Sequence, residues 1–157
     1  MSAPDPILRR VWASLVTALE GIVSGSDYHS TVRFVSTDLV NLLSLSSQQT
    51  PAFLVMADGE GAQRLFHMAG QVKETFSFVL EGRLDAPGLL VSAKADAYAR
   101  MLLDVEYALT RDVTRGGIAS ATFIRSPKGP FMGLDTTGIV QWQQRVDVIV
   151  VRDTGER

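Results

Sequence analysis

The chain has no cysteine. That excludes disulfides, thiolate nucleophiles and cysteine-held zinc, and it leaves the redox compartment open. Histidine is nearly as scarce: His29 and His67 stand alone in loop-like segments, without the spaced partners a metal site needs. A histidine becomes a catalyst when a neighbour tunes and orients it, so an ordinary surface role is expected for both. Long apolar runs are missing too. The longest, Ala52 to Ala57, falls far short of a membrane span. Arg9 and Arg10 interrupt the N-terminal region where a signal peptide would carry its apolar stretch. A formal net charge of −2 lacks the basic excess of a general nucleic-acid binder. No serine sits in a nucleophile elbow. Neither Gly116-Gly117 nor Asp58-Gly59-Glu60-Gly61 has the further glycines or the lysine of a phosphate-cradling loop.

What is present reads as one folded domain over residues 1–157. Apolar residues make up 46% and charged residues 20%, a globular balance. A chain of this size buries about 70% of the surface its unfolded form exposes, enough for one core. The clearest element is a helix running from Ala93 towards Gly117. Ala97, Tyr98, Met101, Leu102, Val105, Ala108 and Leu109 recur at three- and four-residue spacing and share one face. Leu102 and Val105 are expected to be buried. Lys94, Asp96, Arg100, Asp104 and Glu106 fall mostly on the other side, where Asp96–Arg100 and Arg100–Asp104 are spaced to pair. Ser92 is placed to cap the start, and Gly116-Gly117 supply the backbone freedom for a sharp exit. A second helix opens at Asp5-Pro6 and carries a stripe from Ile7 through Val11, Leu15 and Leu19 to Val23, ending at Gly25–Asp27.

The rest reads as strands. Thr31 to Val35 is a short one. Asp38 to Leu45 is a helical turn or loop. Ala52 to Ala57 fits a strand buried on both faces. From Val72 to Leu80 apolar and polar residues alternate, the period of a half-buried strand, with a loop from Gly82 to Gly88. Ala119 to Arg125 is another strand, and Ser126 to Pro130 a loop. Thr137 to Val151 is a long strand with Val140, Trp142, Val146, Val148 and Val150 on one side and Gln141, Gln143, Arg145 and Asp147 on the other. These elements predict an α+β fold: a mixed or antiparallel sheet of about five strands, with two main helices packed on one face.

Two clusters invite a chemical reading. Asp58, Glu60, Glu74 and Lys73 resemble the carboxylate-and-lysine sets of metal-dependent nucleases, which would make the protein a small metal-dependent hydrolase. Their spacing is loose, and Asp-Gly-Glu-Gly is also what a plain turn looks like. Arg111, Asp112 and Arg115 gather at a helix end. They read either as positive charge meeting the helix dipole or as a polar contact with a neighbouring subunit.

The order of elements carries a resemblance. The N-terminal helix is followed by Thr31-Val32-Arg33, Pro51-Ala52-Phe53-Leu54-Val55 and the strand around Phe76. The helix ending Leu103-Asp104-Val105-Glu106-Tyr107-Ala108-Leu109, the turn Arg115-Gly116-Gly117-Ile118-Ala119 and a last long strand complete it. Over nearly its whole length the chain resembles the tail terminator, or tail completion, proteins of long-tailed bacteriophages and gene transfer agents. Family members are small α+β domains that form a six-membered ring on the finished tail tube, stop its growth and provide the surface onto which the head or its connector docks. The resemblance implies a non-enzymatic virion protein without cofactor or metal, assembled in the host cytoplasm and sited at the head-proximal end of the tail. It implies as partners other copies of itself, the tail tube protein and a head-completion or connector protein. DNA would pass only as cargo, and no membrane is involved. Subunit or tube contacts are expected at Asp58, Glu60 and Arg64 in the loop from Asp58 to Gly70, at Lys128 in the loop from Ser126 to Asp135, and at Arg111, Asp112 and Arg115. Another head–tail joining, neck or tail tube protein is the neighbouring alternative.

Overall fold

The computed structural model describes residues 6–25, 27–58, 63–66 (backbone only), 70–86, 91–130 and 138–153. The first helix, α1, spans Ile7–Glu20. Its stripe is the expected one: Val11, Leu15 and Leu19 are fully buried, as is Ile22 just beyond its end. The Pro6 carbonyl accepts the N–H of Arg10. Asp5, the expected cap, lies outside the described residues. The helix stops at Glu20 with Gly21 as its C-cap, earlier than the expected Gly25–Asp27. Trp12 reaches from α1 to the sheet, donating its indole N–H to the Val55 carbonyl at 3.0 Å.

The second helix, α2, spans Val91–Thr110, so Ser92 is already inside it. Met101, Val105, Ala108 and Leu109 are buried; Ala97, Tyr98 and Leu102 are half-buried against the same core. Leu102 is therefore less buried than the spacing alone suggests. Asp96 and Arg100 pair at 3.0 Å on the solvated side, as expected. Asp104 does not join them. It is 2% exposed, because it stands three residues from Met101, one from Val105 and four from Ala108, on the flank of the apolar stripe.

The sheet holds β1 (Phe34–Ser36), β2 (Ala52–Ala57), β3 (Gln63–Phe66), β4 (Gln71–Asp85), β5 (Ala121–Ile124) and β6 (Ile139–Asp153). Its order is β1-β2-β4-β6-β5, with β3 also paired to β4. The β1–β2 pair is parallel and the other pairs are antiparallel. The fold is thus α+β, with a mixed sheet and both helices on one face.

The spine is β4 against β6, in register from Gln71↔Asp153 to Asp85↔Ile139. Even-numbered residues of both strands face the helices: Phe76, Phe78 and Leu80 on β4, and Trp142, Val146 and Val148 on β6. The sequence places a loop at Gly82, but β4 runs straight through it. Gly82 sits opposite Trp142, and a Cβ there would lie 2.4 Å from the indole ring. This glycine makes room for a side chain rather than for a turn.

The run Ala52–Ala57 is buried on both faces, as expected. Phe53 and Val55 join the main core, while Ala52 and Leu54 join Leu42 in a smaller cluster beneath. Two short 3₁₀ turns, Leu42–Ser44 and Ser47–Gln49, cover that end of the outer face. Arg83, 3% exposed, anchors the first turn through the carbonyls of Leu42 and Leu45 and pairs with Asp85 at 2.8 Å.

β3 falls where the sequence predicts only loop. It follows β2 along the same edge of β4, with Ala57 paired to Phe78 and Gln63 to Thr75. Asp58, just past β2, donates its N–H to the Ser77 carbonyl at 2.8 Å.

Candidate functional site

The helix-free face of the sheet carries the largest group of linked charges among the described residues. Its centre is Asp147, 5% exposed, on β6. One carboxylate oxygen accepts the Ser77 hydroxyl at 2.6 Å and Arg145 Nε at 3.3 Å. The other accepts Arg125 through Nε at 2.8 Å and an amino group at 2.7 Å. Burial pushes the Asp147 carboxyl up. The bonds from Ser77 and Arg125 and the charges of Arg125 and Arg145 outweigh it and hold the group below the usual carboxylate range. Arg145 reaches on to Asp58 at 3.3 Å.

Lys128 is fixed beside them through its backbone, exchanging both hydrogen bonds with Gln143 at 2.7 and 2.9 Å. Arg125, Lys128, Gln143, Arg145, Asp58 and Val79 line a groove of about 650 Å³. A second groove shares Arg125 and Ser126 with it and adds Phe123, Thr75, Asp147 and Ile149.

The depressed Asp147 sets a sign for pH dependence. Its folded value lies below its unfolded one, so its contribution to stability is fully present above the unfolded value, about 3.9. That contribution is lost as pH falls through the folded value. Urea unfolding followed from pH 7 downward should show stability dropping below about pH 4. In Asp147→Asn the drop should be shallower and the stability at pH 7 lower. An unchanged acid slope in the variant would show that this carboxylate contributes nothing to it.

Of the residues singled out in the sequence, Asp58 and Lys128 come together here. Glu60 lies outside the described residues, as does His67. Arg64 stands on β3 opposite Glu74 in the backbone register. Arg111, Asp112 and Arg115 form a separate group in the turn after α2. Asp112 accepts the Thr114 hydroxyl at 2.6 Å and the Gly116 N–H at 2.7 Å, and these bonds, led by the hydroxyl, hold its carboxyl below the usual range. Arg115 is 4% exposed at φ 50°, its guanidinium folded back onto the carbonyls of Leu109 and Asp112. Its place is that of a cation on the helix C-terminus. Arg111 stays exposed, 3.5 Å from Asp27 and over the Tyr107 ring.

Two carboxylates of the hydrolase reading, Asp58 and Glu74, do not converge. Glu74 faces the helix side, 5% exposed, and is held by Arg152 at 3.0 and 3.1 Å. Asp58 pairs with Arg145 on the opposite side of the sheet. The sheet itself stands between them, so one ion cannot bind both. Among the described residues no group of three His, Asp or Glu side chains is placed to hold a metal. His29 is engaged through its backbone, whose N–H donates to Asp104.

Sequence reasoning missed Arg125, Ser77 and the central role of Asp147. The alternation of β6 does put Arg145 and Asp147 on one face. Only the β4–β6 and β5–β6 registers bring Ser77 and Arg125 to them. No protein-family model matches the chain, and no curated protein matches it either.

Proposed function

We propose that the protein is a non-enzymatic structural subunit that closes into a ring on the end of a phage-type tail tube, stops its growth and offers the head or its connector a docking surface. The observation that carries this reading is the whole-chain order of elements: α1, β1, β2, β4, α2, the Arg115-Gly116-Gly117 turn, β5 and β6 succeed one another as in the tail terminator resemblance. A physical argument supports it. Head-to-tail contacts continue without limit unless a different subunit ends them. Such a subunit must match the tube on one side and differ on the other. A rigid sheet with a helix-covered face and a charged open face offers two unlike surfaces. Contacts with neighbouring copies and with the tube fall at the Asp58–Lys128 groove and at the Arg111–Asp112 turn, and the ring has six members if the resemblance holds. Its partners are the tail tube protein and a head-completion or connector protein, with DNA passing through as cargo.

The test is deletion of the gene in its producing system, followed by electron microscopy of the particles. Tubes of variable, abnormal length unattached to heads are expected, and supplying the wild-type gene should restore tails of uniform length joined to heads. Normal tails joined to heads would sink the reading.

A further inference from the structure

We propose that the groove around Arg125, Lys128 and Arg145 docks an acidic peptide segment of a protein partner, with an apolar side chain of the same segment resting on Phe123. The charges argue for it first. The Arg125 and Arg145 side chains are 66% and 46% exposed, yet both are pinned from below by the buried Asp147. Arg125 spends Nε and one amino group there, and Arg145 spends Nε on Asp147 and an amino group on Asp58. Each guanidinium keeps further N–H donors. Lys128 is exposed and forms no ion pair among the described residues. Among the described residues, three cations over two carboxylates leave the groove one positive charge in excess. A single acidic side chain would match that charge and meet donors already held in place, so little ordering is left for binding to supply.

The apolar part lies alongside. Phe123 is 54% exposed on β5 and lines the adjoining groove with Ile149 and Thr75; Arg125 and Ser126 belong to both grooves. An aromatic ring left in water beside fixed arginines has the composition of a protein-binding surface. A polyphosphate fits less well. It brings a charge every few ångströms and needs a broad basic excess, whereas Asp58 and Asp147 would repel it here.

This inference rests on the ring reading only in taking the open face as a surface that meets another chain. The test uses the isolated protein and so does not depend on tails. A short blocked peptide of alternating glutamate and leucine is titrated into ¹⁵N-labelled full-length protein and followed by NMR. Its lysine–leucine counterpart, inorganic phosphate and oligothymidylate are titrated in parallel. The acidic peptide alone should shift the resonances of Phe123, Arg125, Lys128 and Arg145 and saturate. Lys128→Glu should weaken it at least ~10-fold, since reversing a contact charge turns attraction into repulsion. Phe123→Ser should weaken it with the fold intact, as judged by unchanged dispersion elsewhere. Phosphate or oligothymidylate shifting the same resonances without the peptide, or no probe shifting them, would overturn the proposal. Peptide binding unaltered by Lys128→Glu would overturn it as well.

Discussion

Gly82→Val is expected to cost at least ~3 kcal/mol and to leave little folded protein, at the upper end of what overpacking a core does. At this position the added Cβ alone lies 2.4 Å from two indole carbons of Trp142. That contact is cheap only where the neighbour is a flexible side-chain end, and Trp142 is the opposite. Its ring is fully buried, with Phe53 edge-on at 5.7 Å and Tyr98 at 5.3 Å. Its own N–H has no partner among the described residues, so packing alone holds it. To relieve the clash the ring must leave its seat or β4 must part from β6, and either breaks the spine of the sheet. Trp142→Ala should itself cost ~3–5 kcal/mol, the usual range for a buried aromatic. The sharper check is the pair. If the two sites interfere as described, Gly82→Val combined with Trp142→Ala should cost clearly less than the two single changes added together. Chemical denaturation of the four proteins measures this. A Gly82→Val variant within ~0.5 kcal/mol of the parent, the ordinary surface value, would show that the strand absorbs the side chain.

The second large effect is expected from Asp104→Ala, at ~2–4 kcal/mol. The Asp104 carboxylate accepts the backbone N–H of His29 at 3.0 and 3.1 Å and that of Ser30 at 2.8 Å. Removing it strands two donors where a charged acceptor stood, and an unmet buried donor costs more than a made bond returns. The loss should spread along the segment. Tyr28 packs edge-on against Tyr107 at 5.6 Å and Asp27 pairs with Arg111, so residues 27–30 are stapled to α2 by three kinds of contact, of which Asp104 is the buried one. Amide hydrogen exchange should show His29 and Ser30 losing protection first. Asp104→Asn keeps one acceptor oxygen and should cost about half as much. If Asp104→Ala is neutral and the two amides stay protected, the carboxylate does not hold the segment.

Much of the architecture was determined by the sequence itself, because it depends on local periods. The spacing of Val11, Leu15 and Leu19 and that of Met101, Val105 and Ala108 each define a face along one helix. The alternation of Val140, Trp142, Val146 and Val148 defines a side of one strand, and the run Ala52–Ala57 needs only its own composition to demand cover on both faces. Other features were decided by the tertiary structure. Gly82 reads as a turn until Trp142 is placed opposite it. Asp104 reads as a solvated partner for Arg100 until two N–H groups some 75 positions away in the chain are brought to it. β3 has a partner only because β4 runs on past the end of β2 and leaves an edge open there. The charged groove and the carboxylate beneath it join Asp58, Arg125, Lys128 and Asp147 from three separate stretches. A local period records which side of an element faces inward; it carries no information about which residue of another element stands opposite. Glycine's missing side chain and a buried carboxylate's missing solvent take their meaning from that opposite residue, and only the tertiary arrangement, strand register for Gly82 and helix-to-loop packing for Asp104, supplies it.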